Sequence, residues 1–285
     1  MKTKERGFFG EVWRNYKRSF GAMLGLVIIG VMLLITIVGA FYYSYDDITK
    51  QVITDRMKEP SAEHWFGTDE FGRDIFARIV YGARYSLSIG FAAVMFSALV
   101  GITLGALAGY YGGLVETIIM RLTDVFMAIP AILFGICLVS AFGQSLFILT
   151  MAVSISSIPS VVRITRASVM TVSKMEYIES ARAAGANDFI IIFRHVLVNA
   201  MAPIIVQSTL LLGGSIVAIA GLSFIGLGIE APLPEWGSML SSSRGYIRKK
   251  PYMALYPGLA IMIAVMGFNL IGDGIRDSMD PKLKK

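Results

Sequence analysis

The sequence has 285 residues, 55% of them hydrophobic and only 16% charged, with a formal net charge of +6. A soluble domain carries about 25% charged residues, so an ordinary water-soluble globule is excluded and a surface facing mostly lipid is implied. In such a chain the positive balance reads as Lys and Arg gathered on cytoplasmic loops, not as a nucleic-acid footprint.

At the N-terminus, Phe9, Val12, Trp13, Tyr16 and Phe20 recur at helical spacing, with Arg14, Lys17 and Arg18 elsewhere on the wheel. This pattern predicts an interfacial helix over 1–20 lying on the cytoplasmic leaflet, with a helical extension of the first span as the other reading. The run 21–43 is 23 residues long. That exceeds the roughly 7–15 residues of a signal-peptide core, so it reads as a retained first span. A span needs roughly 20 apolar residues to cross about 30 Å of hydrocarbon. Five further stretches qualify, at about 86–110, 118–140, 145–163, 199–222 and 253–275. The expected fold is therefore an all-α membrane protein with six transmembrane helices.

Lys2, Lys4, Arg6, Arg14, Lys17 and Arg18 precede the first span against Glu5 and Glu11, which predicts a cytoplasmic N-terminus. The segment 44–85 then falls outside, and its stretch 44–83 is acidic, with eight Asp or Glu against five Lys or Arg. Counting crossings puts 166–198 inside, with Arg166, Lys174, Arg182 and Arg194, and the tail 278–285 inside, with Lys282, Lys284 and Lys285. One loop opposes the rule: 223–252 falls outside yet holds Arg244, Arg248, Lys249 and Lys250.

In the outer segment, Gly67 and Gly72 suit tight turns, and Asp69, Arg73 and Asp74 can pair or cap a following helix. Ordering the loop is a sufficient role for them. Trp65 and Trp236 read as interfacial anchors, or as contacts for an external protein. In the second span, Ser97, Gly101, Gly105 and Gly109 recur every four residues. Such a small-residue face lets two helix backbones approach closely, so the stripe is assigned to helix packing. Pro130 interrupts the third span and Pro257 lies near the start of the sixth, and each favours a kink.

Signals for chemistry are poor. No Gly-Lys pair occurs, so there is no P-loop, and neither His-Glu-x-x-His nor Cys-x-x-Cys is present. The single Cys137 has no disulfide partner in the chain, and His64 and His195 are far apart in sequence. No catalytic residue, metal site or cofactor is expected. Glu116, Arg121 and Asp124 cluster at the start of the third span, and Asp273, Arg276 and Asp277 at the end of the sixth. Both groups are expected near the cytoplasmic surface, whereas a proton-coupled transporter favours carboxylates at mid-membrane.

The loop 166–198 carries helix signals of its own. Ser173-x-x-Glu176 is a candidate capping box. A helical run continues through Tyr177, Ile178, Ala181 and Ala184, and Gly185 suits a left-handed position after the helix end. Asn187 or Asp188 can cap a second short helix from Phe189 to about Val198. Two short helices joined at a glycine would make a rigid lever between two spans; a plain solvated loop is the alternative.

Glu179-Ser180-Ala181-Arg182-Ala183-Ala184-Gly185, followed by Ile191 and Arg194-His195-Val196-Leu197-Val198-Asn199, resembles the "EAA" loop of ABC importer permeases, and more narrowly of those for dipeptides, oligopeptides and nickel. Phe66-Gly67-Thr68-Asp69-Glu70-Phe71-Gly72-Arg73-Asp74, Tyr81-Gly82-Ala83-Arg84, Met120 to Pro130, Leu222 to Gly228, Trp236 to Leu240, Pro257-Gly258, Asn269 to Asp277 and Asp280-Pro281 are similar to that family's segments in the same order. The likeness covers roughly residues 10–285, and the Gly-Thr-Asp-x-x-Gly-Arg-Asp segment is similar to that of the C-type subunit. The resemblance implies a permease core over 86–277, with the 173–195 loop as coupling helix. It places Glu176, Tyr177, Glu179, Ala183, Ala184, Gly185 and Ala186 against a cytosolic ATPase. It also implies a second homologous permease subunit, two ABC ATPase subunits, an extracytoplasmic substrate-binding protein and short peptides as cargo, with nickel or a metal chelate as the alternative. An ion-coupled secondary transporter and a membrane-embedded enzyme are the rival classes.

Three departures stand out. Ser180 replaces a usual Ala, Val198 replaces a frequent Pro, and Ala220-Gly221 stand where an acidic residue often precedes the Leu-Ser-Phe segment. The second predicts that the helix runs smoothly through Val198.

Overall fold

The computed structural model describes residues 8–279. Lys2, Lys4, Glu5, Arg6, Asp280-Pro281, Lys282, Lys284 and Lys285, and the side chains of Phe9 and Glu11, lie outside the described residues. Helix α1 (Phe8–Arg18) is separated from α2 (Phe20–Tyr42) by Ser19, which is extended and accepts a hydrogen bond from the Ala22 N–H. The N-terminal helix is thus its own element and not a continuation of the first span. Its Tyr16 is buried and donates to the Ala22 carbonyl at 3.2 Å.

A short helix α3 (Tyr45–Thr49) leads into an ordered loop, and α4 (Ile75–Tyr111) follows. With 37 residues and 1.5 Å of rise each, α4 is about 55 Å long, well beyond the thickness of the hydrocarbon. Next come α5 (Gly113–Ala128), α6 (Ala131–Phe142) and α7 (Leu146–Val172). Helix α8 (Glu176–Ala183), the single turn α9 (Asp188–Ile190) and a π-helical turn Ile191–Val196 form an elbow leading into α10 (Leu197–Leu222). A second π-turn, Ser223–Leu227, breaks at Gly226 (φ +90°); α11 (Trp236–Ser243) and α12 (Tyr252–Met279) complete the order.

Among the described residues, five helices are long and apolar enough to span a membrane alone, and a sixth span arises only if α5 and α6 are counted together. They meet at 85°. The expected third span is therefore two helices, because Ile129 and Pro130 take extended backbone and Pro130 offers no N–H to carry the ladder through.

Helix α4 packs against α7 along the glycine stripe. A Cβ on Gly101 would sit 2.6 Å from Val161 Cβ, one on Gly105 2.7 Å from the Val162 carbonyl oxygen, and one on Gly109 2.6 Å from the Arg166 carbonyl oxygen. Backbone meets backbone there, the arrangement that small residues permit in lipid. Helices α2, α10 and α12 form the other half of the bundle, with Gly25 of α2 set against the Gly267 carbonyl of α12.

One end of the bundle is closed by a cap made of the segment 44–74 and the hairpin 229–243. Asp69 is buried and accepts hydrogen bonds from the N–H groups of Phe71 and Arg73 and from Arg73 Nε, at 2.7–2.9 Å. Asp74 caps α4 through the Ala77 N–H and also meets His64 Nδ1, both at 2.9 Å. Gly67 and Gly72 take φ of +75° and +77°, which their tight turns require. Buried Glu70 has its carboxyl pushed up from the usual range by desolvation.

The tryptophans divide. Trp65 is exposed, but Trp236 is only 1% exposed and its indole donates to the Ile79 carbonyl at 3.0 Å. Trp236 is therefore a core residue joining the hairpin to α4, not the interfacial anchor that its loop position suggested. Ile75, Ile79, Met239, Tyr252 and Met253 close the same core.

Candidate functional site

The elbow is built by local rules. Helix α7 runs on to Val172, so the connection begins at Ser173 rather than at 166 as expected. Ser173 does not form the capping box. It ends α7, with its hydroxyl on the Val169 carbonyl at 2.7 Å, and α8 starts after Met175 with no side-chain cap. The physical reason is the serine's preference, inside a continuing helix, for the carbonyl four residues back.

At the far end of α8, Gly185 takes φ +83°. Its N–H bonds to the Arg182 carbonyl at 3.0 Å, and the Ala186 N–H bonds to the Ala181 carbonyl at 3.2 Å. This is a Schellman closure, which satisfies carbonyls left free at the helix end. Asn187 then caps the next turn through the Ile190 N–H at 2.8 Å. The second arm is not a separate short helix: residues 188–222 form one continuous helical run through the first π-turn, which passes smoothly through Val198.

A single residue seats α8. Ile178 is 1% exposed and packs with Val169, Val172, Ile191, Ile192 and Val196. Around it Glu176, Tyr177, Glu179, Ala183, Ala184 and Gly185 are exposed, while Ala186 is half-buried against the same cluster. Beside this face stand Phe189 and Phe193, both exposed, with ring centres 4.6 Å apart. Sequence reasoning missed that pair, although two Phe four residues apart were a visible signal.

The elbow is also tied to α4. Tyr110 donates its hydroxyl proton to Asp188 Oδ1 at 2.7 Å, and Arg182 Nη2 donates to the Tyr110 hydroxyl at 3.3 Å. Sequence reasoning missed this as well, since the partners lie 78 and 72 residues apart. Arg166 pairs with Glu116, and Arg163 pairs with Asp124 at 2.6 Å, joining α7 to α5. Among the described residues no group of three or more His, Cys, Asp or Glu could hold a metal ion.

At the cap, Glu235 begins α11 and accepts from the N–H groups of Gly237 and Ser238, each at 2.8 Å. Burial pushes its carboxyl above the usual range. Ser86 of α4 donates to Glu235 at 3.3 Å and accepts from the Trp236 N–H at 3.2 Å.

The family model "Binding-protein-dependent transport system inner membrane component" fits residues 101–285, and "N-terminal TM domain of oligopeptide transport permease C" fits residues 7–60. The chain is 46% identical to the dipeptide transport system permease protein DppC of Alkalihalophilus pseudofirmus, covering 96% of this chain and 90% of that one. It is 44% identical to the glutathione transport system permease protein GsiD of Pectobacterium atrosepticum, covering 95% and 92%. Among solved structures, the inward-facing MetNI methionine ABC transporter gives a TM-score of 0.59 at 18% identity, covering 71% of this chain and 97% of that one, so it shares the fold. The chain accordingly belongs to the inner-membrane components of binding-protein-dependent transport systems, as a multi-pass permease that carries the N-terminal transmembrane domain of oligopeptide permease C.

Proposed function

We propose that this chain is one half of the translocation pathway of an ATP-driven importer for short peptides. The elbow lies in the cytoplasm and the cap outside. A second, homologous permease completes the pathway, two cytosolic ABC ATPases bind at the elbows, and an extracytoplasmic binding protein delivers cargo to the cap.

The observation that carries the reading is the construction of α8. One buried isoleucine and a glycine closure hold it rigidly between the ends of α7 and α10, while Glu176, Tyr177, Glu179, Ala183, Ala184 and Gly185 are left open to a partner. A helix so placed converts a push from an ATPase into a displacement of two spans. When ATP draws the ATPases together, the permease passes from inward- to outward-facing, and hydrolysis resets it. This is a two-state element biased from a distant site. Relatives named for dipeptides and glutathione favour peptides over nickel as cargo.

Affinity purification of the tagged chain in mild detergent, followed by reconstitution, tests this. The expected result is a complex with a second permease and P-loop ATPases, which takes up dipeptides only when ATP and the binding protein are present. Uptake by the chain alone in ATP-free vesicles would show an ion-coupled carrier. Within the complex, Gly185→Pro is expected to keep membrane insertion but uncouple ATP hydrolysis from uptake, because proline cannot take φ +83°. Wild-type uptake in that variant rules the elbow out as the coupling element.

A further inference from the structure

Tyr110 sits at the last turn of α4, in a helix with no sequence connection to the elbow, yet it touches both arms of it. Arg182, on α8 before the glycine turn, donates to its hydroxyl, and Asp188, after the turn, accepts from it. The Arg182 guanidinium also lies 5.6 Å from the centre of the Tyr110 ring, within cation–π range. The ring itself packs on the apolar cluster that seats Ile178. One phenol therefore spans Gly185, and the angle between the arms is fixed by a residue from outside the loop.

The other end of α4 is fastened as firmly. Arg78 Nη1 donates to the carbonyls of Ile48 at 3.0 Å and Pro232 at 3.3 Å, and the Ile79 carbonyl and Ser86 hydroxyl hold Trp236. Gly82 lies so close to the Pro234 carbonyl that no side chain fits between them. Between these ends, α4 has no bulky side chains on its glycine stripe to absorb movement against α7.

We propose that Tyr110 is a positioning residue that clasps the elbow to α4, and that α4 acts as the rod carrying displacement of the coupling helix to the hairpin of the cap. The proposal rests on the coupling reading of α8. It adds a third route to the two that the chain itself provides through α7 and α10. Without the hydroxyl, α4 keeps its apolar contact with the elbow, but the arms on either side of Gly185 are no longer held to one another through it.

The test uses the full complex in proteoliposomes and reads uptake per ATP hydrolysed. Tyr110→Phe keeps the ring and removes only the hydroxyl. Uptake per ATP is expected to fall by about threefold or more, the scale of one lost hydrogen bond to a charged group that solvent partly screens, with the ATPases still co-purifying. Asp188→Asn, which retains an acceptor oxygen, is expected to hold a higher ratio than Asp188→Ala. An unchanged ratio in Tyr110→Phe, or loss of the ATPases from the purified complex, overturns the clasp: the first shows that the hydroxyl transmits nothing, the second that it serves only assembly. Gly185→Pro measured alongside separates the two readings. If it uncouples while Tyr110→Phe does not, the clasp fails alone. If Gly185→Pro transports normally, the coupling role of α8 fails with it.

Discussion

A single methyl group distinguishes glycines that pack from glycines that do not. Gly105→Ala places a Cβ 2.6 Å from Thr165 Cβ and 2.7 Å from the Val162 carbonyl oxygen, so α4 and α7 must separate. Overpacking of this kind costs about 1–3 kcal/mol, and the purified protein is expected to melt at a lower temperature in detergent. Gly30→Ala meets nothing within 4 Å and is expected to leave the melting temperature unchanged or raise it. The four-residue period of Gly101, Gly105 and Gly109 was plain in the sequence, but the partner helix was not, because a stripe names a face and not what covers it. Trp236 shows the reverse problem. Its position in a loop suggested a membrane anchor, and only the fold reveals that the Ile79 carbonyl, 157 residues earlier, receives its indole proton.

At the scale of elements, the elbow was readable wherever a local rule decided it and misread wherever two rules competed. Gly185 and Asn187 act through the backbone within three residues of themselves, and the structure has them as a glycine closure and a helix cap. Ser173 could either cap α8 or bond back into α7, and no residue near it decides between the two. The difference is measurable. Asn187→Ala removes the hydrogen bond to the Ile190 N–H and is expected to cost about 1 kcal/mol of local stability. It should appear as faster amide exchange at Ile190. Ser173→Ala deletes only a bond back to the Val169 carbonyl and is expected to leave exchange in α8 unchanged. The third span was half legible: Pro130 marked a kink, and the backbone at Ile129 and Pro130 shows how far it goes, a turn of 85° that makes two helices of the run.

At the scale of the whole molecule, the bundle has an elbow end and a cap end, and membrane orientation is a statement about which faces the cytoplasm. Lys249, beside the cap between α11 and α12, and Lys174 in the elbow are both exposed, and Cys137 is the single native cysteine. In a Cys137→Ser background, Lys249→Cys is expected to react with an impermeant maleimide added to intact cells, and Lys174→Cys only after the membrane is opened. The opposite pattern would reverse the orientation, and with it the side from which cargo enters. The basic run Arg244, Arg248, Lys249 and Lys250 makes this worth measuring, since basic residues usually gather on cytoplasmic loops.

The union of the hairpin with α4 bears on how the protein is made. The Ser86 hydroxyl and the Trp236 N–H that meets it are 150 residues apart. At a synthesis rate of about 5–20 residues per second, α4 emerges roughly 8–30 s before its partner exists. During that interval the Ser86 hydroxyl and the notch at Gly82 face their surroundings without the hairpin that later covers them. A nascent chain that stalls before α11 thus carries its defect at one identifiable place, the cap end of α4 around Gly82 and Ser86.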